Sequence, residues 1–322
     1  MPQEPLATSF HSSDEMRFAV IDIGTNTFHL LIAEAGELDK PLKEIYRSRH
    51  FIKLGEKGLD TLSAEALQRG MKTLHDFRHY IDRHDIAEER TIALGTAALR
   101  TATNGPAFRT EVKEKVNIDI QIISGDREAQ LIAQGALMAI PAPEEPVLIM
   151  DIGGGSVEFI IADRHRVYWA QSFPVGVAVL FRGFHRNDPI LPEEITAVQA
   201  FLEAQLQPLW ESLQQYPIQH LVGAAGTFDV IAAQLGDEVD HLTYSPINIG
   251  QFDAFYREIL HTTQEQRYAM PQIPDDRADM IVVALILVDL ILRRAGIREL
   301  TVSFYAMKEG MMYELLKKSR DQ

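Results

Sequence analysis

The chain has 322 residues, the length of about two domains, and its 46% hydrophobic and 24% charged residues exclude a disordered, collagen-like or small disulfide-stapled protein. Thirty-one Lys and Arg residues stand against 46 Asp and Glu residues, and the resulting net charge of −15 repels nucleic acids and anionic membrane surfaces. Cysteine is absent, which excludes disulfides, thiolate nucleophiles and cysteine-ligated metal sites.

The N-terminal segment 1–16 is predicted to be a flexible tail. Its residues are mixed polar, without the basic-then-apolar order of a signal peptide. The longest apolar run, 280–292, contains Asp289 and is shorter than the ~20 residues of a membrane-spanning helix. We therefore expect a cytoplasmic protein that has neither a membrane nor a nucleic acid as partner.

Strands and helices alternate in the first half. In chain order, the predicted elements are strands over 18–23, 28–34 and 43–50, a helix over 64–83, a strand over 91–94, a helix after 101, a strand over 118–123 and a helix over 126–140. The proline-rich segment 141–146 cannot continue this last helix, so it predicts a connection between two domains.

The second half continues the alternation. The predicted elements are strands over 147–152 and 157–163, a long helix from 192, a strand over 220–224, a helix over 278–295, a strand over 299–303 and a terminal helix from 306. Alternating strands and helices predict an α/β fold. We expect domain I over 17–140 and domain II over 141–305, with the terminal helix 306–320 packed back on domain I.

An internal repeat relates the two halves. Residues 18–34 align with residues 147–163 after a shift of 147 − 18 = 129 positions. Each copy consists of an apolar run, an Asp-Ile-Gly sequence, a small polar turn and a second apolar run, and Asp22 aligns with Asp151. Chance rarely gives such a match, so the repeat predicts a duplicated fold.

Each copy of the repeat is a predicted hairpin whose turn is suited to bind an anion. Glycines let the backbone approach a ligand, and turn N–H groups with nearby hydroxyls converge on phosphate oxygens. The turn residues are Gly24, Thr25, Asn26, Gly153, Gly154, Gly155 and Ser156. Asp22 and Asp151 would face the phosphates, where a divalent cation such as Mg²⁺ must lie between two like charges. An ordinary hairpin turn is the alternative for either copy alone.

The duplicated hairpin resembles the two phosphate loops of the actin and sugar-kinase superfamily. Four segments more narrowly resemble the exopolyphosphatase and guanosine pentaphosphate phosphatase family, and they are residues 22–30, 95–100, 123–129 and 151–158. The resemblance runs from about residue 17 to residue 316. It implies the short form of the family, in which two duplicated actin-like (ribonuclease H-like) α/β domains enclose an active-site cleft.

The resemblance also implies roles for individual residues. It places the family's catalytic carboxylate at Glu128, which would take a proton from the attacking water. Arg100 matches an arginine that would hold phosphoryl oxygens in the transition state. Glu158 matches the Glu after the glycine loop and would bind Mg²⁺ together with Asp22 and Asp151 or orient its water, although strand alternation alone could place it there as a solvated residue.

Two further segments supply candidate phosphate-binding residues. Lys53 stands where the family usually has Arg, within a basic cluster that would suit a polyanion, although charge mixing on an edge strand explains the cluster equally well. The other members of the cluster are Lys43, Arg47, Arg49, His50 and Lys57. Gly226 and Thr227 lie in a turn that resembles a third glycine turn of the family, with Ala225 in place of Ser.

Later segments match the family less closely. Arg277 and Asp279 match its Arg-Ala-Asp sequence, and Lys308 stands in place of an Arg. Phe304 and Tyr305 stand where small residues are usual. Because these departures lie in and beside domain II, the hydrolytic core matches the family better than the region that would select the substrate.

The leading hypothesis is an enzyme that cleaves terminal phosphoanhydride bonds of inorganic polyphosphate with Mg²⁺, and guanosine pentaphosphate is the alternative substrate. The family resemblance implies a homodimer. An actin-like kinase is disfavoured because domain I offers no identifiable catalytic Asp beside a substrate pocket. A non-catalytic phosphate sensor is disfavoured because it would not require both Glu128 and Arg100.

Overall fold

The computed structural model describes residues 16–34, 42–236 and 243–320. The tail predicted over 1–16 lies outside these ranges except for Met16. Within them, no helix combines the length and the apolar character needed to cross a lipid bilayer.

The first half of the chain forms a five-stranded sheet. Its strands are β1 (Arg17–Ile23), β2 (Thr27–Glu34), β3 (Lys43–Phe51), β4 (Thr91–Gly95) and β5 (Ile120–Ile122). They lie in the order β3-β2-β1-β4-β5, with β1 antiparallel to β2 and parallel to β4. The helices of this half are α1 (Ala64–Arg83), α2 (Ala97–Thr101), α3 (Gly105–Val116) and α4 (Gly125–Ala139).

The second half forms a six-stranded sheet. Its strands are β6 (Val147–Ile152), β7 (Val157–Ala162), β8 (Val167–Phe173), β9 (His220–Ala224), β10 (Tyr244–Ile247) and β11 (Glu299–Ser303). The order β8-β7-β6-β9-β11 repeats the order and the strand directions of the first sheet, and β10 is added at the edge. The predicted duplicated α/β fold is confirmed.

The helices of the second half surround its sheet. They are α5 (Val177–Phe184), α6 (Pro192–Gln205), α7 (Gln207–Gln215), α8 (Gly226–Leu235), α9 (Ile249–Leu260), α10 (Gln264–Tyr268), α11 (Asp275–Ala278), α12 (Ile281–Arg294) and α13 (Met307–Arg320). The helix predicted over 278–295 corresponds to α12, which is buried and packs against α6 and α9. We call β1–β5 with α1–α3 the first lobe and β6–β11 with α5–α12 the second lobe.

Helices α4 and α13 lie between the two sheets. Helix α13 packs on β1, and α4 packs on β7 and β8. Their apolar residues form a core cluster separate from the core of each lobe. The limits predicted for domains I and II stay a prediction, but the terminal helix does contact the first sheet.

Two glycines let α4 and α13 cross with their backbones in contact. A Cβ atom on Gly135 would lie 2.0 Å from the Ala306 carbonyl oxygen, and one on Gly310 would lie 2.0 Å from the Leu131 carbonyl oxygen. No side chain fits at either position, so this crossing sets how closely the two lobes approach each other.

Candidate active site

The turns of the two repeat hairpins face each other across a cleft between the lobes. A Cβ atom on Gly154 would lie 2.6 Å from the Asn26 side chain, and one on Gly155 would lie 2.8 Å from Thr25 Oγ1. The predicted site residues that line the cleft are Asp22, Gly24, Thr25, Asn26, Glu128, Asp151, Gly153, Gly154, Gly155, Ser156, Glu158 and Gly226. The fold therefore brings most of the predicted set together.

A backbone segment that follows β3 holds the first turn. The Asn26 carbonyl oxygen accepts hydrogen bonds from the N–H groups of Ile52 and Lys53 at 2.7 and 2.9 Å. The Thr25 carbonyl oxygen accepts from the Gly55 N–H at 3.4 Å. We call residues 52–55 the first brace. A carbonyl oxygen that pointed into the cleft would repel a bound phosphate. The hydrogen bonds from the first brace hold the carbonyl oxygens of Thr25 and Asn26 away from that position.

The second turn is held in the same way by the start of α5. The carbonyl oxygens of Gly153, Gly154 and Gly155 accept from the N–H groups of residues 177, 178 and 176 at 3.0, 2.9 and 3.3 Å. These donors belong to the first turn of a helix, where backbone N–H groups lack intrahelical partners. We call residues 176–178 the second brace. Each hairpin turn thus has a brace that follows the third strand of its sheet.

Glu128 lies in the first turn of α4, where the Ser124 hydroxyl caps the helix by accepting from the Arg127 N–H at 3.2 Å. The Glu128 side chain is buried, with 7% of the residue exposed. Burial, and then the negative charge of Glu158, raise the pKa of the Glu128 carboxyl well above its usual range, and Arg100 opposes this shift.

The Arg100 guanidinium contacts the Glu128 carboxylate and a backbone carbonyl oxygen. Its Nη1 donates to Glu128 Oε2 at 2.9 Å and to the Ile123 carbonyl oxygen at 3.0 Å. Arg100 is not among the residues that line the cleft. This contact places Arg100 where it can orient Glu128, and the expected contact of Arg100 with phosphoryl oxygens stays a prediction.

Three more carboxylates face the cleft from the ends of central strands. Burial raises the pKa of Asp22 to about 7, and burial together with the charges of Glu158 and Asp22 raises the pKa of Asp151. Burial also raises the pKa of Glu158, although the Ser172 hydroxyl donates to Glu158 Oε1 at 2.6 Å. Several buried carboxylates in one cleft favour a bound cation, because negative charge cannot accumulate there without one.

The carboxylates do not form a complete metal site by themselves. Among the residues that the structure describes, no group of three Asp, Glu or His side chains is arranged to hold a metal ion. Asp22, Asp151 and Glu158 line the same cleft but leave part of a coordination shell to other ligands. Mg²⁺ commonly binds one or two carboxylates and completes its shell with water and substrate phosphates.

Two predicted phosphate-binding residues lie outside the cleft lining. Lys53 places its Nζ 4.9 Å from the centre of the Phe51 ring, and its backbone adopts φ 53° within the first brace. Thr227 is buried in α8, with 2% exposed. Neither the Lys53 side chain nor the Thr227 side chain therefore lines the cleft.

The predicted basic cluster is largely paired with acidic residues. Arg47 binds Glu309 at 3.0 Å and Glu44 at 2.7 Å. The further ion pairs are Lys43 with Glu34, Arg49 with Asp276 and Lys57 with Glu65. Because most of its cations are paired, this cluster does not form a free basic surface for a long polyanion.

The cleft also contains cationic side chains that were not included among the predicted site residues. Arg277 is partly buried, with 13% of its side chain exposed. Its Nε is enclosed and finds no hydrogen-bond partner among the described residues, with Asp276 Oδ2 at 3.9 Å. Its guanidinium lies against Gly226, where a Cβ atom would be 2.4 Å from Nη2. Lys308 lines the cleft from the start of α13. The sequence matches at Arg277 and Lys308 were the signals that could have placed both residues in the site.

Known proteins resemble this chain over nearly its whole length. The sequence profile of the Ppx/GppA phosphatase family matches residues 31–319. A guanosine-5'-triphosphate,3'-diphosphate pyrophosphatase of Photobacterium profundum is 28% identical over 309 residues, which are 94% of this chain and 60% of that protein. The chain thus spans 60% of the length of this relative.

Solved structures share the fold. An exopolyphosphatase from Cytophaga hutchinsonii has a TM-score of 0.88 and 33% identity, covering 94% of this chain and 98% of that chain. The Ppx/GppA family member of Aquifex aeolicus has a TM-score of 0.79 and 25% identity, with the same coverage of 94% and 98%. These similarities confirm two duplicated actin-like domains with a cleft between them. Because the profile match covers most of the sequence, the chain belongs to the Ppx/GppA phosphatase family, whose members are phosphoanhydride hydrolases.

Proposed function

We propose that this protein hydrolyses the terminal phosphoanhydride bond of inorganic polyphosphate and releases phosphate. The observation that carries the proposal is a buried Glu128 facing two opposed glycine turns in one cleft. The likeness to the Cytophaga exopolyphosphatase supports it. In addition, no Phe, Tyr or Trp among the described residues lines the cleft, so a purine base would find no aromatic ring to stack on. A substrate made of phosphates alone therefore suits the cleft better than a nucleotide.

Glu128 is the proposed general base. Its Oε2 is bound by Arg100, so Oε1 is the oxygen that would take the proton from water attacking the terminal phosphorus. The two glycine turns would hold oxygens of the terminal phosphate with backbone N–H groups and with the hydroxyl of Thr25. Arg100 keeps the carboxylate in place during the transfer.

Asp22, Asp151 and Glu158 would hold Mg²⁺. The fit rests on their chemistry. All three supply only oxygen ligands and line the cleft beside the turns that would bind the phosphates, with Asp151 and Glu158 buried and Asp22 partly buried. When bound, the cation neutralises charge on the phosphate oxygens. Asp22, Asp151 and Glu158 would be held in their ionised forms by such a cation.

Phosphate release from long-chain polyphosphate tests the proposal. We expect release by the purified protein with Mg²⁺ and a loss of at least 90%, that is about tenfold or more, with excess EDTA, because the transferred phosphoryl group carries charge that the carboxylates alone cannot neutralise. Restored release after Mg²⁺ is added back controls for chelator damage. Release that is unaffected by EDTA would contradict the metal assignment.

Guanosine pentaphosphate is the second candidate substrate, because the Photobacterium relative is named for hydrolysis of this nucleotide. Comparing kcat/KM for the two substrates decides between them. A folded protein that releases phosphate from neither would favour the non-catalytic sensor. The cytoplasmic location and the homodimer stay predictions.

Arg277→Ala is expected to raise KM for polyphosphate about tenfold or more, because a charged donor lost from a phosphate contact costs about 1.5–3 kcal/mol. The enclosed Nε donates to none of the residues that the structure describes, and the guanidinium lies against Gly226, so Arg277 is suited to bind a phosphate beyond the terminal one. Steady-state phosphate release measures the effect, and Arg294→Ala on the surface of α12 is the matched control. An unchanged KM would exclude this contact.

A further inference from the structure

A side chain on α5 joins the two braces across the cleft. Arg182 of the second lobe donates from Nη1 to the Gly55 carbonyl oxygen of the first lobe at 2.6 Å. Its Nε donates to the Ala178 carbonyl oxygen at 3.0 Å. Gly55 belongs to the first brace and Ala178 to the second, so one guanidinium binds both segments that hold the phosphate turns.

We propose that Arg182 is a positioning residue that keeps the two phosphate turns facing each other. The connection runs from Asn26 and Thr25 through the first brace to Gly55, then through Arg182 to the second brace and the glycines of the second turn. Every link is a hydrogen bond to a backbone carbonyl oxygen. Arg182 therefore acts on the turns without touching their ligand.

Other contacts also join the lobes near the cleft, but each of them involves a residue that lines the cleft. Arg49 pairs with Asp276, and Asn26 Nδ2 lies 3.7 Å from Met280 Sδ. Arg49 and Asn26 both line the cleft, so changing either would also change ligand binding. Arg182 is outside the lining and largely exposed, so its removal tests the connection between the lobes alone.

The hydrogen bond from Arg182 to the Gly55 carbonyl oxygen is well suited to hold the two lobes together. A hydrogen bond from a charged guanidinium is stronger than one from an amide to a thioether sulfur. The bond from Nε to Ala178, one helical turn earlier, fixes the guanidinium before it meets Gly55. Less side-chain freedom is lost when such a prearranged donor binds its partner.

The kinetic consequence rests on the proposed function. Polyphosphate can contact both turns only while they face each other, so substrate affinity falls in proportion to the fraction of molecules in that arrangement. Losing Arg182 reduces this fraction in the free protein. Bound substrate restores the arrangement, so the rate at saturation changes little.

The test combines a distance measurement with kinetics. The chain has no cysteine, so spin labels at Glu114→Cys on α3 and Ala200→Cys on α6 report the distance between the lobes without competing labels. We expect one narrow distance distribution for the ligand-free parent and a broader one with a longer component for Arg182→Ala. For polyphosphate hydrolysis, we expect KM to rise about tenfold, with kcat within about twofold.

Two variants sharpen the result. Arg257→Ala removes an exposed arginine that pairs within its own helix, and it should match the parent in distance and KM. Arg182→Lys retains a single cationic donor group and should fall between the parent and Arg182→Ala.

Two outcomes overturn the proposal: a distance distribution for Arg182→Ala equal to that of Arg257→Ala, or a fall in kcat with unchanged distances. The distance measurement needs no catalysis, so a protein inactive on polyphosphate leaves this test intact and contradicts only the proposed function.

Discussion

Glu128→Gln is expected to lower kcat for phosphate release by about 10²- to 10⁴-fold, the usual contribution of a general base. Glutamine keeps the shape of the side chain and its contact with Arg100, but its amide cannot take a proton from water. Because Glu128 is buried at the start of α4, an isosteric change preserves the packing that an alanine would disturb. Phosphate release at saturating polyphosphate measures the effect.

The matched control for this variant is Glu314→Gln on α13. Glu314 is a partly buried glutamate that pairs with Arg127 between α4 and α13, outside the cleft lining. It should retain phosphate release within about twofold, because the lost ion pair affects only stability. If Glu128→Gln keeps the activity of the parent while circular dichroism shows an intact fold, another group takes the proton and the proposed base is wrong.

Gly310→Ala is expected to destabilise the protein by about 1–3 kcal/mol, and to reduce its activity by displacing the lobes. The added methyl group would lie 2.0 Å from the Leu131 carbonyl oxygen, and this atom belongs to the backbone of α4 and cannot rotate away. Helices α4 and α13 must therefore separate. Urea unfolding followed by circular dichroism measures the change.

Gly183→Ala is the control for the effect of alanine on helix propensity. Gly183 lies in α5, and a Cβ atom there would have no neighbour within 4 Å among the residues that the structure describes. The same substitution should stabilise the protein by up to about 1 kcal/mol, because glycine is a poor helix former. If both variants unfold at the same urea concentration, the close crossing of α4 and α13 does not set the stability.

Patterns of apolar and glycine residues close together in the sequence predicted the elements whose contacts form between neighbouring parts of the chain. The repeat of 18–34 at 147–163 carried alternating apolar runs and glycine-rich turns, and both copies form antiparallel hairpins in matching sheets. Elements decided by tertiary contacts were missed. Strand β8 is half buried along most of its length and carries Gln171 and Ser172 before its last residue. Helix α5 has eight residues and begins on the carbonyl oxygens of another loop. Helices this short form mainly through packing.

Residues adjacent in the chain decide the duplicated hairpins, the carboxylates Asp22 and Asp151 near the ends of their strands, and the helix-start glutamate Glu128, so these features could be predicted from the sequence. The hydrogen bonds of Arg100 to Glu128 and of Arg182 to Gly55, 127 positions away, could not be predicted in this way, because they form between distant parts of the folded chain. Such pairings depend on how the two sheets approach each other. That approach is set by the glycine crossing of α4 and α13, and steric exclusion between distant backbones leaves no periodic signal in a sequence.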